Sequence, residues 1–551
     1  MTKKDIKISK KIAFLLFALL FLTGLFTFKD YGISIDEEFQ RSTGFYWLNY
    51  VLSFTSFEEL KNLVTYKLGE INGFTLPRPE VYPYYGVIFD LPVAFLEVIF
   101  RIEDSKNYFH FKHLLNFLLF FISSIFFYKL LLNRFSNYYI SLIGTSFFIL
   151  SPRIYGSSYF NNKDIIFLSL VTMALYYCFK SFDKLSYKNL LIFSILAALS
   201  TSQRLLGIFL PIFFIIFYLL SVLSNKKDLK LLTHIIFYLV TYLLFLIVFW
   251  PLLWEAPIEN FILAFKYFTD VPLKIKMLFN GVYVNVGKLP YDYIFICILI
   301  STPVLYTILF IIGYIQIFKR FFIKFTNIKD NNFYYDLWRG VKEKKDLFIL
   351  FNITSITLYL VIFDVVMYTG WRQIYFINVF IIYIAVYAFY RINIYLKSKA
   401  QKKILFYIII SFLVFVVYKM TIYHPYQNIY FNFFAGKNIH KKFEVDYWGL
   451  SGKKFIEDIL ILEKDKDTIS IAVSSFLPLQ RSIKLLDKKD RKKIKIVGQE
   501  FQSADYIYTN FMSEVDKKTD DKYKIPSNFK KISEFTLANI KVYEVYKKIE
   551  Y

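Results

Sequence analysis

Apolar residues along this 551-residue chain gather in runs of 12–28 positions, most of them close to 20, separated by short charged pieces. A helix rises about 1.5 Å per residue, so runs of that length match the hydrocarbon core of a bilayer. The runs cover residues 12–28, 110–132, 138–151, 165–179, 189–200, 205–223, 231–250, 291–318, 347–366, 373–390 and 404–420. They predict an all-α polytopic membrane domain of about eleven spans over residues 1–420. Residues 85–100 are apolar as well but contain Asp90, Pro92 and Glu97. Charges at that density are costly in lipid, so this stretch is expected to be an interfacial or re-entrant helix within a long first outer loop, residues 29–109. Turn signals in that loop fall at Asn72-Gly73 and at Pro77-x-Pro79. After Met420 the pattern changes to charged sequence with short β-type runs at 468–473, 493–497, 506–508 and 541–546, and an amphipathic piece at 453–462. Residues 421–551 are therefore expected to form a small C-terminal α/β soluble domain.

The net charge of +24 would suggest nucleic acid in a soluble protein. Here the basic residues fall between spans, so cytoplasmic loops beside anionic lipid explain them and no nucleic-acid partner is expected. Lys3, Lys4, Lys7, Lys10 and Lys11 precede the first run and put the N-terminus inside. The run ends in Thr27-Phe28-Lys29-Asp30, which offers no small-x-small cleavage site, so it reads as an uncleaved span rather than a secretory signal. Alternation from there leaves the Lys/Arg-rich loops inside and the C-terminal domain outside. Counting 85–100 as a span would reverse this. Cys178 and Cys297, the only two cysteines, lie in apolar runs and make neither a disulfide framework nor a zinc site.

Candidate chemistry begins at Asp36-Glu37-Glu38, just past the first span. An acidic loop is commonly just solvated surface. Here Asp164 lies at an equivalent depth, with Arg153 and Lys163 nearby. Paired carboxylates among cations suit acid–base work on an anionic substrate. Arg372 sits in a tight turn beside Trp371, and Arg204 interrupts an apolar stretch between two short spans. Interface anchoring is the competing role for the first, and a charge placed like the second needs a partner. His110 and His113 have i, i+3 spacing at the mouth of the second span, but without a convergent carboxylate they read as interfacial. His424 reads as packing between tail and membrane domain.

The order of these features resembles a family. A lysine-led first span, an Asp-Glu pair after it and an acidic residue before the fourth span resemble the GT-C glycosyltransferases. The likeness is to the protein O-mannosyltransferase and aminoarabinose-transferase-like group, glycosyltransferase family 39 and relatives, in a bacterial branch. Further matches are Ser151-Pro152-Arg153 leading to Asn161-x-Lys163-Asp164, Trp371-Arg372-Gln373-x-Tyr375-Phe376, His424-Pro425-Tyr426-Gln427 with Tyr430-Phe431-Asn432, and Asp446-Tyr447-Trp448-Gly449-Leu450-Ser451. The resemblance implies a GT-C fold and transfer of a sugar from a polyprenyl-phosphate donor to a lipid, glycan or protein acceptor on the outer face. It implies Asp36 as general base. Glu37 and Asp164 would orient the acceptor, tune Asp36 or hold a divalent metal, with Asp36 and Asp164 as its ligands. Arg372, Arg204, Lys163 and Arg153 would bind the donor phosphate. The alternative is a transporter or flippase of a lipid-linked saccharide, which should show internal repeats and midplane charges; the charges here lie mostly at span ends.

Overall fold

The computed structural model describes residues 3–72, 84, 86–224, 229–269, 274–326 and 338–549. Gly73, the Pro77-x-Pro79 turn, Tyr85 and much of the expected basic loop after residue 326 lie outside the described residues. Helices dominate the first 422 residues. In order they are α1 (Lys3–Thr27), α2 (Glu37–Leu52), α3 (Glu58–Asn72), α4 (Asp90–Ile99), α5 (Ser105–Phe135), α6 (Tyr138–Ile149), α7 (Pro152–Phe160), α8 (Asp164–Asp183) and α9 (Tyr187–Gln203). There follow α10 (Phe209–Ser224), α11 (Leu229–Phe249), α12 (Pro257–Thr269), α13 (Tyr293–Ser301), α14 (Val304–Thr326), α15 (Val341–Ile362), α16 (Ile377–Tyr395) and α17 (Lys399–Ile422). Among the described residues, seven helices are long and apolar enough to cross a membrane on length and composition: α1, α5, α8, α11, α15, α16 and α17. The chain is an integral membrane protein. The shorter α6, α9 and α10 and the α13–α14 pair occupy the remaining expected runs.

Two differences from expectation have clear causes. The run 291–318 is two helices, because Pro303 has no N–H to continue the ladder and its ring disfavours a helical residue before it. The stretch between the expected runs 138–151 and 165–179 is not a plain connecting loop but mostly the helix α7, started by Pro152 at its first turn and buried along its whole length. Within the first connecting segment, α4 has ten residues and so is about 15 Å long, too short to span. Its Asp90 and Glu97 are buried but partnered, by Asn162 and Arg41 respectively.

The C-terminal part holds α18 (Gly452–Leu462) and a five-stranded sheet of β3 (Ile469–Val473), β4 (Ile494–Ile496), β5 (Tyr506–Thr509), β6 (Phe529–Leu537) and β7 (Ile540–Lys548), in the order β4-β3-β5-β7-β6. β3 runs parallel to β4 and β5, and β7 antiparallel to β5 and β6. The sequence pattern does not show β6, an edge strand whose middle is charged and exposed. It also misses a hairpin before α13, β1 (Lys276–Phe279) and β2 (Val282–Asn285), although Asn280-Gly281 at its tip is a strong hairpin signal. Both tip residues have positive φ, 50° and 86°.

Helix α5 defines the two ends of the bundle. Near its start, Ser105 and Lys106 bond Lys484 and Asp487 of the C-terminal part. At its other end, about 45 Å away at helical rise, Arg134 makes a forked bond to Asp346 of α15, at 2.7 and 2.5 Å. Tyr383 of α16 donates to the same carboxylate at 2.8 Å. Asp346 is thus the point where three helices meet away from water. Asp346→Ala should strand Arg134 in a buried position and lower stability by about 3–5 kcal/mol. The check is a fall in unfolding temperature of the detergent-solubilised protein; an unchanged temperature would remove this pair from the account of bundle stability.

Candidate active site

The three consecutive carboxylates after α1 point to three different parts of the molecule. Asp36 is the residue before α2, with φ −88° and ψ −16°, and makes no side-chain cap to its own helix. Its Oδ2 instead accepts from Arg372 Nη1 at 2.5 Å. Glu37 is fully buried; its Oε2 accepts from the Ser34 N–H at 2.6 Å and its Oε1 lies 3.0 Å from His113 Nε2. The backbone carbonyl of Glu37 takes the Lys112 ammonium at 3.1 Å. Glu38 pairs with Arg481, at 3.3 Å, and with Lys484 of the C-terminal part. Successive helical positions radiate about 100° apart, which is why neighbours in sequence find separate partners.

Arg372 is held by its surroundings. Gly370, at φ +74°, turns the chain into the short 3-10 segment Arg372–Ile374. The guanidinium lies 4.5 Å over the Trp448 ring and 4.8 Å from that of Tyr368. Burial pushes the Asp36 carboxyl upward. The Arg372 charge and hydrogen bond, with Lys163 and Arg481, outweigh it and hold the group below its ordinary value. Burial depresses Arg372, but Asp36, Tyr368 and Asp164 more than restore it, so it stays charged.

A second ion pair stands beside the first. Asp164 opens α8; its Oδ2 accepts from Asn161 Nδ2 at 2.9 Å and its Oδ1 from Arg204, which caps the end of α9. Lys163 precedes it, buried and pushed well below the usual lysine range by desolvation and by Arg204, against the pull of Asp164, Asp36 and Asp90. Asp36, Asp164, Lys163, Arg204 and Arg372 therefore share one electrostatic neighbourhood.

The two pairs are exposed in opposite senses. In the first, the Asp36 side chain is 35% accessible and Arg372 6%; in the second, Asp164 is 1% accessible and Arg204 20%. One pair shows its carboxylate to the site and the other its guanidinium. Both arginines also carry a buried Nε–H without a hydrogen-bond partner, an unusual condition for a buried donor.

Arg153 stands apart. Its Nε donates to the Tyr430 carbonyl at 3.0 Å and its guanidinium lies 4.4 Å over Phe431. Glu37 is turned into the protein against His113, which gives that histidine the convergent carboxylate that its sequence context does not reveal. His424 bonds Asp30 at 2.8 Å. Among the described residues no three His, Cys, Asp or Glu side chains gather as a metal site. Asp90 and Lys112, unassigned from sequence, lie 3.9 Å apart at the edge of the group. Burial lifts the Asp90 carboxyl to about 6, against Lys112, Lys163 and the Asn162 hydrogen bond. The signal was present in the sequence: a carboxylate amid apolar residues needs a partner.

Residues 95–254 match the model of the family described as dolichyl-phosphate-mannose-protein mannosyltransferase. No curated protein matches the chain. Among solved structures, the crystal structure of ArnT from Cupriavidus metallidurans bound to undecaprenyl phosphate aligns over 96% of this chain and 97% of that one, with 11% sequence identity and a TM-score of 0.44. The chain resembles the GT-C glycosyltransferases of the protein mannosyltransferase group, and the stretch that carries the match runs from within α4 to just past α11 and includes Asp164 and Arg204.

Proposed function

We propose that this protein is a membrane glycosyltransferase that moves a sugar from a polyprenyl-phosphate donor to an acceptor hydroxyl or amine on the extracytoplasmic face. The observation that carries the reading is the opposed exposure of the two ion pairs. A transferase of this kind needs a carboxylate open to the acceptor and a cation open to the leaving phosphate; Asp36 and Arg204 present those groups. The family match over residues 95–254 supports the same reaction class.

In this mechanism the donor phosphate docks on Arg204 and draws on the unpaired N–H of Arg372. Competition for Arg372 loosens its grip on Asp36, and the carboxylate recovers basicity as the phosphate arrives. Asp36 then accepts the proton of the acceptor as the acceptor oxygen or nitrogen bonds to the anomeric carbon. The bond from that carbon to the phosphate oxygen breaks on the opposite face, inverting the centre. The electron pair leaves with the polyprenyl phosphate, whose added charge the guanidinium groups and Lys163 stabilise. Glu37, locked by Ser34 and His113, positions α2 and with it Asp36. Asp36 and Asp164 are each taken up by a guanidinium, and among the described residues no third ligating side chain joins them, so the pair does not fit a divalent cation and no step runs through one.

Two genetic experiments test this. Comparing the glycans and glycolipids of a deletion strain with its parent by mass spectrometry should identify a missing sugar, which the wild-type gene restores. Asp36→Asn should express and insert normally but lower transfer by about 10²–10⁴-fold; restoration at the normal rate would remove Asp36 as base.

The pH profile carries a sign. With its folded value depressed below 3.8, free Asp36 is ionised above that pH and is neutralised only as pH falls further. The acid limb of kcat/KM should therefore lie below pH 3.8, while that of kcat, which reports the donor-bound enzyme, should sit higher. Identical limbs would sink the displacement step.

For orientation, the buried segment 152–160 would hide a probe, so exposed positions serve better. Ser503→Cys in the C-terminal part should react with an impermeant maleimide from outside intact spheroplasts, and Lys397→Cys only after permeabilisation. Cys178 and Cys297 are buried and give little background. The reverse pattern would place the site on the cytoplasmic face.

A further inference from the structure

The third carboxylate after α1, Glu38, is held from the C-terminal part. Arg481 lies on the short helix α19 (Gln480–Ile483), and its Nε stands 3.3 Å from Glu38 Oε2. Lys484, the next residue after that helix, takes the other oxygen. The Arg481 side chain is 10% accessible and that of Glu38 12%, so this pair is nearly enclosed. The Arg481 Nε makes no directed hydrogen bond, so the contact is ionic rather than forked. Burial pushes Arg481 below the ordinary arginine range; Glu38, Asp36 and Glu37 pull against it, and it stays a cation. Packing fixes the same segment. The Lys484 carbonyl accepts from Ser105 Oγ at 2.9 Å, and Leu485 is buried in the apolar cluster that contains Ile33, Phe89 and Ile166. Those three residues stand close in sequence to Asp36, Asp90 and Asp164. The segment 480–486 therefore reaches from the C-terminal part into the packing of the site itself.

We infer that Arg481 is a positioning residue for the proposed transfer, acting through Glu38 on the first turn of α2 and so on Asp36. The inference rests on the transferase reading above and deepens it. The Gln40 N–H donates to the Asp36 carbonyl at 3.0 Å, and the Ser42 hydroxyl to the Glu38 carbonyl at 3.1 Å. Asp36 and Glu38 thus move with one helical turn. In the proposed mechanism Arg372 loosens its grip on Asp36 as the donor phosphate arrives. From that moment Asp36 is placed by its turn, and the turn by Glu37 and Glu38. Glu37 is anchored within the helix bundle by His113, and Glu38 by cations that the C-terminal part brings. Of those two cations Lys484 is the more hydrated, at 21% accessibility, so Arg481 supplies the enclosed charge. An enclosed carboxylate deprived of its counter-charge is costly. Removing the Arg481 charge draws Glu38 towards water and frees the turn, and small displacements of a reacting group cost rate.

The test is hydrogen exchange of the full chain in lipid nanodiscs, read by mass spectrometry on peptides covering 34–45 and 452–473. Arg481→Gln should speed exchange over 34–45 several-fold and leave 452–473 as protected as in wild type. Arg481→Lys should match wild type, because an ionic contact needs the charge and not the fork. Arg481→Gln added to Glu38→Gln should change nothing further. In parallel the variants are returned to the deletion strain. Arg481→Gln should slow the return of the missing sugar product by about 10–10²-fold at equal protein level, and Arg481→Lys should not. Unchanged exchange over 34–45, a normal rate in Arg481→Gln, a loss in Arg481→Lys or full additivity in the double variant overturns the role. Loosening of 452–473 by both Arg481→Gln and Glu38→Gln also overturns it, since the pair is then a docking contact; if one variant alone loosens that region, the other decides. If wild type returns no sugar product, the transferase reading falls, while exchange still decides whether Arg481 holds the turn.

Discussion

The Asp36–Arg372 ion pair is the contact on which the described architecture turns. It joins the chain just after the first span to the turn between α15 and α16, across 336 positions of sequence. Trp448 closes it from the C-terminal side, stacking on the guanidinium while its carbonyl accepts from the Ile35 N–H at 3.1 Å. Gly32 completes that seam, since a side chain there would strike the Leu450 carbonyl at 2.6 Å. Taking two charges out of water is expensive unless each finds its counterpart and further polar contacts. The pair is therefore sustained only while all three segments are in place, and assembly of the site is coupled to docking of the C-terminal part.

The same economy of charge orders the rest of the bundle. The charged side chains buried in the described helices collect at two levels. One contains Glu37, Asp90, Glu97, Lys112, Lys163 and Asp164; the other contains Arg134, Lys345 and Asp346, with Lys345 paired to the exposed Asp183. Between them the helices meet through aromatic stacks such as Phe120 and Phe127 on Phe148. A mid-membrane charge would need a partner inside lipid-embedded packing. Confining charges to the ends leaves one level free for substrate chemistry while the other acts as a clamp.

What the sequence makes legible follows from the range of the physics involved. Span length is local, and every apolar run coincides with helix, including the brief α6 and α9. The helix α4 was legible as non-spanning because Asp90 and Glu97 are local facts too. Partner choice is not local. Nothing around Glu37 says that it meets His113, and nothing around Arg153 says that it packs on Phe431 instead of joining Arg372. The helical state of 152–160 was obscured because its serines and glycine read as loop chemistry, although tertiary burial overrides that preference. The motif order places Asp36, Asp164, Arg204 and Arg372 at one depth; it does not reveal which member of each ion pair faces the site.

That last distinction bears on how the proposed roles divide. Asp164 is fixed twice, by Asn161 through both its carboxylate and its backbone N–H, and is almost wholly enclosed. Asp36 has no comparable side-chain anchor beyond Arg372, and a third of it is accessible. A base has to approach the acceptor, shed a cation and take up a proton, which favours the carboxylate with one strong contact over the one with several. The arginines divide in the complementary way. Arg372, sandwiched by Tyr368 and Trp448, has little freedom to follow a departing phosphate, whereas Arg204 at the end of α9 is the more open of the two. On the proposed reading, Arg204 meets the donor first and Arg372 governs when Asp36 becomes basic. Asp164 then serves chiefly to keep Arg204 aimed, a positioning task for which its rigidity is suited.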